Sequence, residues 1–166
     1  YRYAFENNYV IAIQIDGDGQ HDPVYIPNLI KPILDNEADF VIGSRFMSKD
    51  GFQSIAQRRI GISVLSFLIN LTSGIRIKDV TSGYRAVNRS LIKVFAFNYA
   101  QDFPEPEAIV YAQLSGYRIK EIPVIMKERQ SGTSSIGFIK AIYYMFKVSI
   151  AILISRMTFS LESKHE

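Results

Sequence analysis

Cysteine is absent from the 166-residue chain, and histidine occurs only twice. A chain without cysteine forms neither disulfides nor thiolate metal sites, so any metal must be held mainly by oxygen ligands. A block of like charge is also missing, because the net charge is only +3 and the 19 basic residues are scattered along the sequence. Nucleic-acid arms usually array their basic residues together, and we therefore expect no nucleic-acid partner.

The chain also lacks an uncharged apolar run of the roughly 20 residues that a membrane span needs. The segment from Phe138 to Met157 is mostly apolar, but Lys140, Lys147 and Arg156 interrupt it. A basic amphipathic helix of this type suits a membrane interface and would place the protein peripherally at the cytoplasmic, inner face of a membrane. Packing on the core or on a homodimer partner fits the same pattern, and both interpretations stay open. Residues 158–166 are expected to form a tail.

What is present is an ordinary globular composition, 48% hydrophobic and 21% charged, enough for one sizeable core. Short β-branched runs alternate with stretches of helical spacing, which predicts an α/β fold with a mostly parallel sheet over residues 1–137. The run at 10–15 suits a central strand buried on both faces. Residues 1–5 look like the middle of a helix, and we expect an N-terminal part to precede them. The predicted strands are 10–15, 38–43, 82–87 and 118–124, and the predicted helices are 23–36, 58–73, 90–97, 106–116 and 138–157.

Two carboxylates, Asp16 and Asp18, follow the first predicted strand and are separated by Gly17. Alternate residues of an extended chain point to opposite faces, so these carboxylates converge only if the strand bends into a loop, which Gly17 and Gly19 permit. Paired carboxylates suit Mg²⁺ or Mn²⁺, which complete their coordination with water and substrate phosphates. The pattern therefore predicts a metal site that binds a diphosphate.

The Asp-Gly-Asp sequence has two other interpretations. One is a plain Asp-Gly turn with solvated carboxylates. The other is a calcium loop, which fails because its sixth position should be Gly and is His21, and its twelfth should be Glu and is Pro27.

An ordered series of motifs gives this turn a wider context. The chain resembles family 2 glycosyltransferases, especially the branch similar to dolichyl-phosphate mannosyltransferase, from Val10 to about Arg156. The blocks that carry the resemblance are Ile15–Pro23 (IDGDGQHDP), Val41–Arg45 (VIGSR), Arg58-Arg59, Asp79–Arg85 (DVTSGYR), Glu105–Glu107 (EPE) and Arg129–Ser135 (RQSGTSS).

The resemblance implies the C-terminal portion of a GT-A fold, without the N-terminal nucleotide-binding part, in which a nucleotide-sugar donor and a metal lie at the carboxyl edge of the sheet. We do not expect this portion to turn over a nucleotide-sugar well by itself. It implies that Asp16 and Asp18 bind Mg²⁺ or Mn²⁺ and the donor diphosphate, with Gln20 close by. Arginine grips phosphate oxygens bidentately, which supports the same assignment. The implied phosphate-binding residues are Arg45, Arg58, Arg85 and Arg129, with Ser131 in a hydroxyl-rich loop.

The acidic candidates for a general base depend on the acceptor. A saccharide hydroxyl needs a base within hydrogen-bond reach, and Glu107 is the first choice, whereas Glu105 is an alternative base or a helix cap. Asp79 is a third candidate, although it also suits the turn that it begins. A lipid-linked polyprenyl phosphate is already anionic and needs little help from a base.

The leading hypothesis from the sequence is an inverting, metal-dependent glycosyltransferase that uses a lipid-phosphate or saccharide acceptor. A catalytically inactive domain of the same type that binds a partner or a membrane is the first alternative. A nucleotidyltransferase is the second, since such enzymes also place paired carboxylates near phosphates.

Overall fold

The computed structural model describes residues 1–48, 56–127 and 138–162. Every helix and strand predicted from the sequence is present in these ranges, with different ends. A 3₁₀ turn, Pro23–Tyr25, precedes the second helix. The elements are α1 (Arg2–Glu6), β1 (Ile11–Gln14), α2 (Ile26–Leu34), β2 (Phe40–Ser44), α3 (Ala56–Ser73), β3 (Arg85–Asn88), α4 (Arg89–Asn98), α5 (Pro104–Leu114), β4 (Ile119–Pro123) and α6 (Phe138–Glu162).

The described strands form one mixed sheet in the order β1-β3-β2-β4. β2 and β4 are parallel, and β3 runs antiparallel to both of its neighbours, β1 and β2. Three of the four described strands therefore point in one direction, although two of the three described ladders are antiparallel because β3 opposes both of its neighbours. β1 and β2 are not neighbours, because β3 lies between them.

The prediction of a central, doubly buried first strand is wrong for the described residues. β1 pairs only with β3 there, and all four of its residues are half-buried. The strand buried along its whole length is β2, which has a partner on each side. A short apolar run looks the same in a strand with one partner and in a strand with two. The position of a strand in the sheet is decided by its pairing with residues far away in the sequence.

Side chains from the two faces of the sheet enter two apolar clusters. Phe40 and Ile42 join the larger one together with residues of α3, α4, α5 and α6. Val41, which points the other way, joins a smaller cluster that contains Leu29 of α2. Because the side chains of β2 point alternately to the two faces of the sheet, α2 packs on one face and α3, α4, α5 and α6 pack on the other.

The last helix extends to Glu162, so residues 158–162, expected to be a tail, are helical. None of the helices in the described part of the chain combines the length and hydropathy that would let it cross a bilayer.

Candidate functional site

Polar residues gather at one edge of the sheet, where β1, β2 and β4 end and β3 begins. Asp16 and Asp18 follow β1, Arg45 follows β2, and Gly83 lies two residues before β3 begins at Arg85. The carboxyl ends of the parallel strands of an α/β sheet are the usual position of ligand sites. The sheet topology thus brings together three motifs that are far apart in sequence.

The Asp16–Asp18 turn is held by backbone N–H groups. The Asp16 N–H donates to His21 Nδ1 (3.0 Å), and the Gln20 N–H donates to Asp18 Oδ1 (3.0 Å). Gly19 has a φ of 78°, a conformation that favours glycine. Gly17 does not share this positive φ, so the predicted bend depends on Gly19.

His21 is a buried support for this turn. Its ring stacks on Tyr84, with the ring centroids 4.7 Å apart, and the Tyr84 hydroxyl donates to the Asp22 carbonyl. Burial lowers the pKa of His21, against the opposing effects of Asp16 and Asp18. A neutral imidazole is consistent with Nδ1 as the acceptor of the Asp16 N–H.

The Asp16 carboxylate lies against Gly83. It is half exposed, and a Cβ at Gly83 would come within 2.7 Å of its Oδ2. No cluster of three or more His, Asp or Glu able to hold a metal occurs among residues 1–48, 56–127 and 138–162. Two carboxylates nevertheless fit Mg²⁺ or Mn²⁺, since such ions usually keep several waters and take substrate phosphates as further ligands.

Gln20 lies beside the same turn, facing the end of β4. Its side-chain amide donates to the Lys127 carbonyl (3.2 Å), and the Lys127 N–H donates to the Gln20 carbonyl (3.0 Å). Lys127 also pairs with Asp22 at 2.8 Å. These contacts fasten the loop after β1 to the segment after β4.

Arg45 and Asp79 form a buried ion pair next to the turn. Arg45 Nε and Nη2 donate to the two Asp79 oxygens at 2.7 and 2.6 Å, and Asp79 is fully buried. The Glu121 carboxylate accepts the N–H groups of Lys78 and Asp79, both at 2.8 Å. Asp79 thus serves as the anchor of Arg45, and it is not presented to solvent as the free carboxylate of a general base would be.

Arg85 is 1% exposed, and its guanidinium lies inside the protein. Nε donates to the Ser82 carbonyl (2.5 Å) and Nη1 to the Glu105 carbonyl (3.0 Å), while Nη2 has no hydrogen-bond partner in the described structure. Burial lowers the pKa of Arg85, and nearby Tyr99 partly opposes this. Arg85 therefore connects the start of β3 to the first turn of α5.

Glu105 and Glu107 both lie in the first turn of α5, where a carboxylate is favoured by the helix dipole. The N-cap residue is Phe103, without a side-chain cap, so Glu105 does not cap the helix. Burial, followed by the nearby Asp102, raises the pKa of Glu107. Gly116 just beyond the helix has a φ of 79°, as the predicted C-terminal glycine requires.

A cavity of about 450 Å³ lies against α3, next to the Arg45–Asp79 pair. Phe46 lies between the ion pair and the cavity. Its ring centroid is 5.3 Å from Cζ of Arg45, which belongs to the ion pair, and 5.9 Å from Cζ of Arg59, which lines the cavity. No acidic residue lines this cavity within the described ranges. Its lining has three cations (Arg59, Arg76, Lys78), three other polar residues (Ser63, Ser66, Asn70) and four apolar residues (Phe46, Ile62, Phe67, Ile77).

The sequence interpretation missed Arg76 and Lys78 and named Arg59 only within a motif. The sequence pattern that could have found Arg76 and Lys78 is weak. These two residues flank Ile77 just before Asp79, and any exposed strand shows the same alternation of charged and apolar residues. Arg58 lies in the first turn of α3, and its side chain is not among those described. Arg129 and Ser131 lie outside the described residues.

The fold and this edge define the class as an α/β protein with a polar site at the carboxyl ends of its strands. Residues 4–95, more than half of the chain, match the family described as Glycosyl transferase family 2. The chain belongs to this family, and its mixed α/β sheet agrees with the GT-A fold expected from the motifs.

Three curated relatives show the range of similarity. The chain is 32% identical to a UDP-N-acetylglucosamine–dolichyl-phosphate N-acetylglucosaminyltransferase of Methanococcus voltae, over 73% of this chain and 49% of the relative. It is 28% identical to an undecaprenyl-phosphate mannosyltransferase of Micrococcus luteus, over 82% and 57%. It is 27% identical to a polyprenol monophosphomannose synthase of Mycolicibacterium smegmatis, over 89% and 57%. The chain therefore spans about half the length of these relatives.

Proposed function

We propose that the protein transfers a sugar from a nucleotide-diphosphate donor to a lipid-linked phosphate. The observation that carries this choice of acceptor is the cavity beside Arg45, which combines three cations with an apolar wall and has no acid in its described lining. A saccharide acceptor offers no negative charge for these cations to bind. The names of the relatives, which include dolichyl-phosphate, undecaprenyl-phosphate and polyprenol enzymes, support the same acceptor class.

The donor diphosphate is assigned to the Asp16–Asp18 turn. Asp16 and Asp18 would hold Mg²⁺ or Mn²⁺, which would supply positive charge to the diphosphate as it leaves. Gln20 and Lys127 close one side of the turn, and the Arg45–Asp79 pair lies on the side toward the cavity. The donor and acceptor phosphates would thus be bound next to each other.

Transfer at this site is a single displacement with inversion. An oxygen of the acceptor phosphate forms a bond to the anomeric carbon, while the bond from that carbon to the diphosphate oxygen breaks and the electron pair leaves with the diphosphate. A phosphate monoester is anionic near neutral pH, so no proton has to be removed. With a saccharide acceptor instead, a base would be needed, and Glu107 in the first turn of α5 would be the candidate that the resemblance implies.

The test of the acceptor site is transfer of labelled sugar from UDP- or GDP-sugars onto a polyprenyl phosphate, followed by extraction of the lipid product. Lys78→Gln should raise the KM for the polyprenyl phosphate about tenfold, the value of one charge-assisted contact, and leave the KM for the donor unchanged. Lys93→Gln, an exposed lysine of α4 outside the cavity, is the matched control. Equal kinetics for the two variants would contradict the assignment of the cavity to the acceptor.

The metal assignment has its own variant. Asp18→Ala should abolish transfer, whereas Asp35→Asn, which alters an exposed carboxylate of a surface ion pair, should not. Transfer onto free saccharides in preference to lipid phosphate would overturn the proposal. So would full activity of Asp18→Ala.

A further inference from the structure

One wall of the cavity beside Arg45 is formed by residues 76–78, which belong to the irregular stretch between α3 and β3. The backbone groups of a helix or strand find their hydrogen-bond partners within the helix or sheet. Those of an irregular stretch must find them on other elements. The position of the Lys78 cation in the cavity is therefore decided by the contacts that hold this wall.

Glu121 of β4 holds the wall from one side. Its Oε2 accepts the Lys78 N–H and its Oε1 accepts the Asp79 N–H, both at 2.8 Å. Two successive N–H groups that converge on one carboxylate form a small anion site, and hydrogen bonds to a charged acceptor are roughly twice as strong as neutral ones. From the other side, the Ser66 hydroxyl of α3 donates to the Ile77 carbonyl. The wall is thus fastened between α3 and β4.

The Glu121 contact also reaches the Arg45 side of the cavity. Asp79 donates its N–H to Glu121, while its own carboxylate accepts Arg45 Nε and Nη2. Cζ of Arg45 is 5.3 Å from the ring centroid of Phe46, which lines the cavity. A shift of the Asp79 backbone would therefore move the wall of the cavity and Arg45 together.

Glu121 is not among the residues of the described ranges that line the cavity. Each of its carboxylate oxygens accepts a backbone N–H group, so its negative charge is directed at the backbone and not at the cations of the cavity. Its own position is firm, because it pairs in the sheet with Ile42 of the fully buried strand β2. A residue placed in this way acts on a ligand only through the residues that it holds.

We propose that Glu121 is a positioning residue of the acceptor site, whose carboxylate fixes the Lys78 cation at the distance that a bound phosphate requires. The nature of the ligand, a polyprenyl phosphate, rests on the proposed function. Hydrogen bonds weaken steeply as their distance and angle depart from the optimum, so a small displacement of the backbone at Lys78 loses the contact with the phosphate.

A double-mutant cycle on ligand binding tests this role without donor or metal. The ligand is farnesyl phosphate, a short polyprenyl phosphate, and isothermal titration calorimetry measures its Kd. Glu121→Gln keeps the size of the side chain, but its NH2 group cannot accept, so one of the two N–H groups loses its acceptor. The Kd should rise about tenfold in Glu121→Gln and in Lys78→Gln, and the double variant should be within about twofold of Lys78→Gln alone.

Glu37→Gln is the matched control for this cycle. Glu37 forms an exposed ion pair with Lys120, the neighbour of Glu121 on β4, and its loss should leave the Kd unchanged. Additive effects of Glu121→Gln and Lys78→Gln would overturn the proposal, because they would indicate a general structural role and not an action through Lys78. An unchanged Kd in Glu121→Gln, or no binding of farnesyl phosphate by the unmodified protein, would also overturn it.

A second measurement uses only the unmodified protein. Amide hydrogen exchange, followed by nuclear magnetic resonance, should be at least about tenfold slower for Lys78 and Asp79 than for unprotected amides, because both N–H groups are bonded to the carboxylate. Exchange at the unprotected rate would overturn the proposal even if Glu121→Gln fails to fold. Binding of farnesyl phosphate that follows the expected cycle, without sugar transfer, would retain the role of Glu121 and reject the proposed function.

Discussion

Gly83 and Arg85, two residues apart, have different effects: Gly83 makes room for a carboxylate of the site, and Arg85 links neighbouring backbone segments. Gly83 leaves room for the Asp16 carboxylate, which a Cβ would meet at 2.7 Å. Two residues later, Arg85 is buried and binds backbone carbonyls of two other segments. The resemblance to the family assigned Arg85 to phosphate binding, but its burial and its carbonyl partners favour a structural role.

Gly83→Ala is expected to weaken binding of Mn²⁺ about tenfold or more, because the methyl group displaces the Asp16 carboxylate. The half-exposed carboxylate can rotate toward solvent, so the melting temperature should change little. Titration of Mn²⁺ by electron paramagnetic resonance measures the affinity. Gly17→Ala is the control, since no atom lies within 4 Å of its added Cβ. Unchanged affinity in Gly83→Ala would show that Asp16 does not hold the ion.

Arg85→Met is expected to lower the free energy of unfolding by about 3 kcal/mol, because two buried carbonyl groups lose their donors. Unfolding in urea, followed by circular dichroism, measures the change. Arg89→Met removes an exposed arginine that donates to Asn8 and should cost less than about 1 kcal/mol. Similar losses of unfolding free energy in both variants would show that the buried hydrogen bonds of Arg85 contribute no more stability than the exposed one of Arg89.

At the scale of helices and strands, a polar cluster at the opposite edge of the sheet fixes how β2 and β4 begin. Asp39 accepts from Arg118 Nε and Nη2 at 3.0 Å each, and from Asn88 Nδ2 at 2.8 Å. Arg118 also donates to Asn36 at the end of α2. The ends of four elements therefore meet around the Asp39–Arg118 pair, at the sheet edge opposite the candidate site.

Stability should fall in acid because of Asp39. The hydrogen bond from Arg118 is the main cause that lowers the pKa of Asp39 below its ordinary value. A lowered folded-state pKa contributes stability that is present above the unfolded pKa and is lost as the pH falls through the folded one. Asp39→Asn should cost about 1–2 kcal/mol at neutral pH and less in acid, measured by urea unfolding at several pH values.

Asp35→Asn provides the comparison for this prediction. It removes a carboxylate from an exposed pair with Lys31, which should contribute at most about 0.5 kcal/mol. If the cost of Asp39→Asn did not decrease in acid, the ionised carboxylate would not be the source of the stability.

At the scale of the whole molecule, the sequence predicted the elements better than their arrangement. The alternation of helices and strands and the Asp16–Asp18 turn followed from local patterns, which depend on neighbouring residues. The pairing of β1 with β3 and the position of β3 between β1 and β2 in the described sheet depend on contacts between distant segments. The burial of Asp79 and the cavity behind Phe46 depend on packing around α3, which no motif encodes.

The position of β3 also has a consequence for the order in which the protein can be assembled. β1 has no described partner other than β3, and Ile11 pairs with Asn88, while Phe40 pairs with Ile119. During synthesis at roughly 5–20 residues per second, β1 and β2 would thus leave the ribosome seconds before their partners. Until β3 and β4 emerge, the edges of β1 and β2 that pair with them would be exposed, so we expect the nascent chain to depend on the ribosome surface or on chaperones.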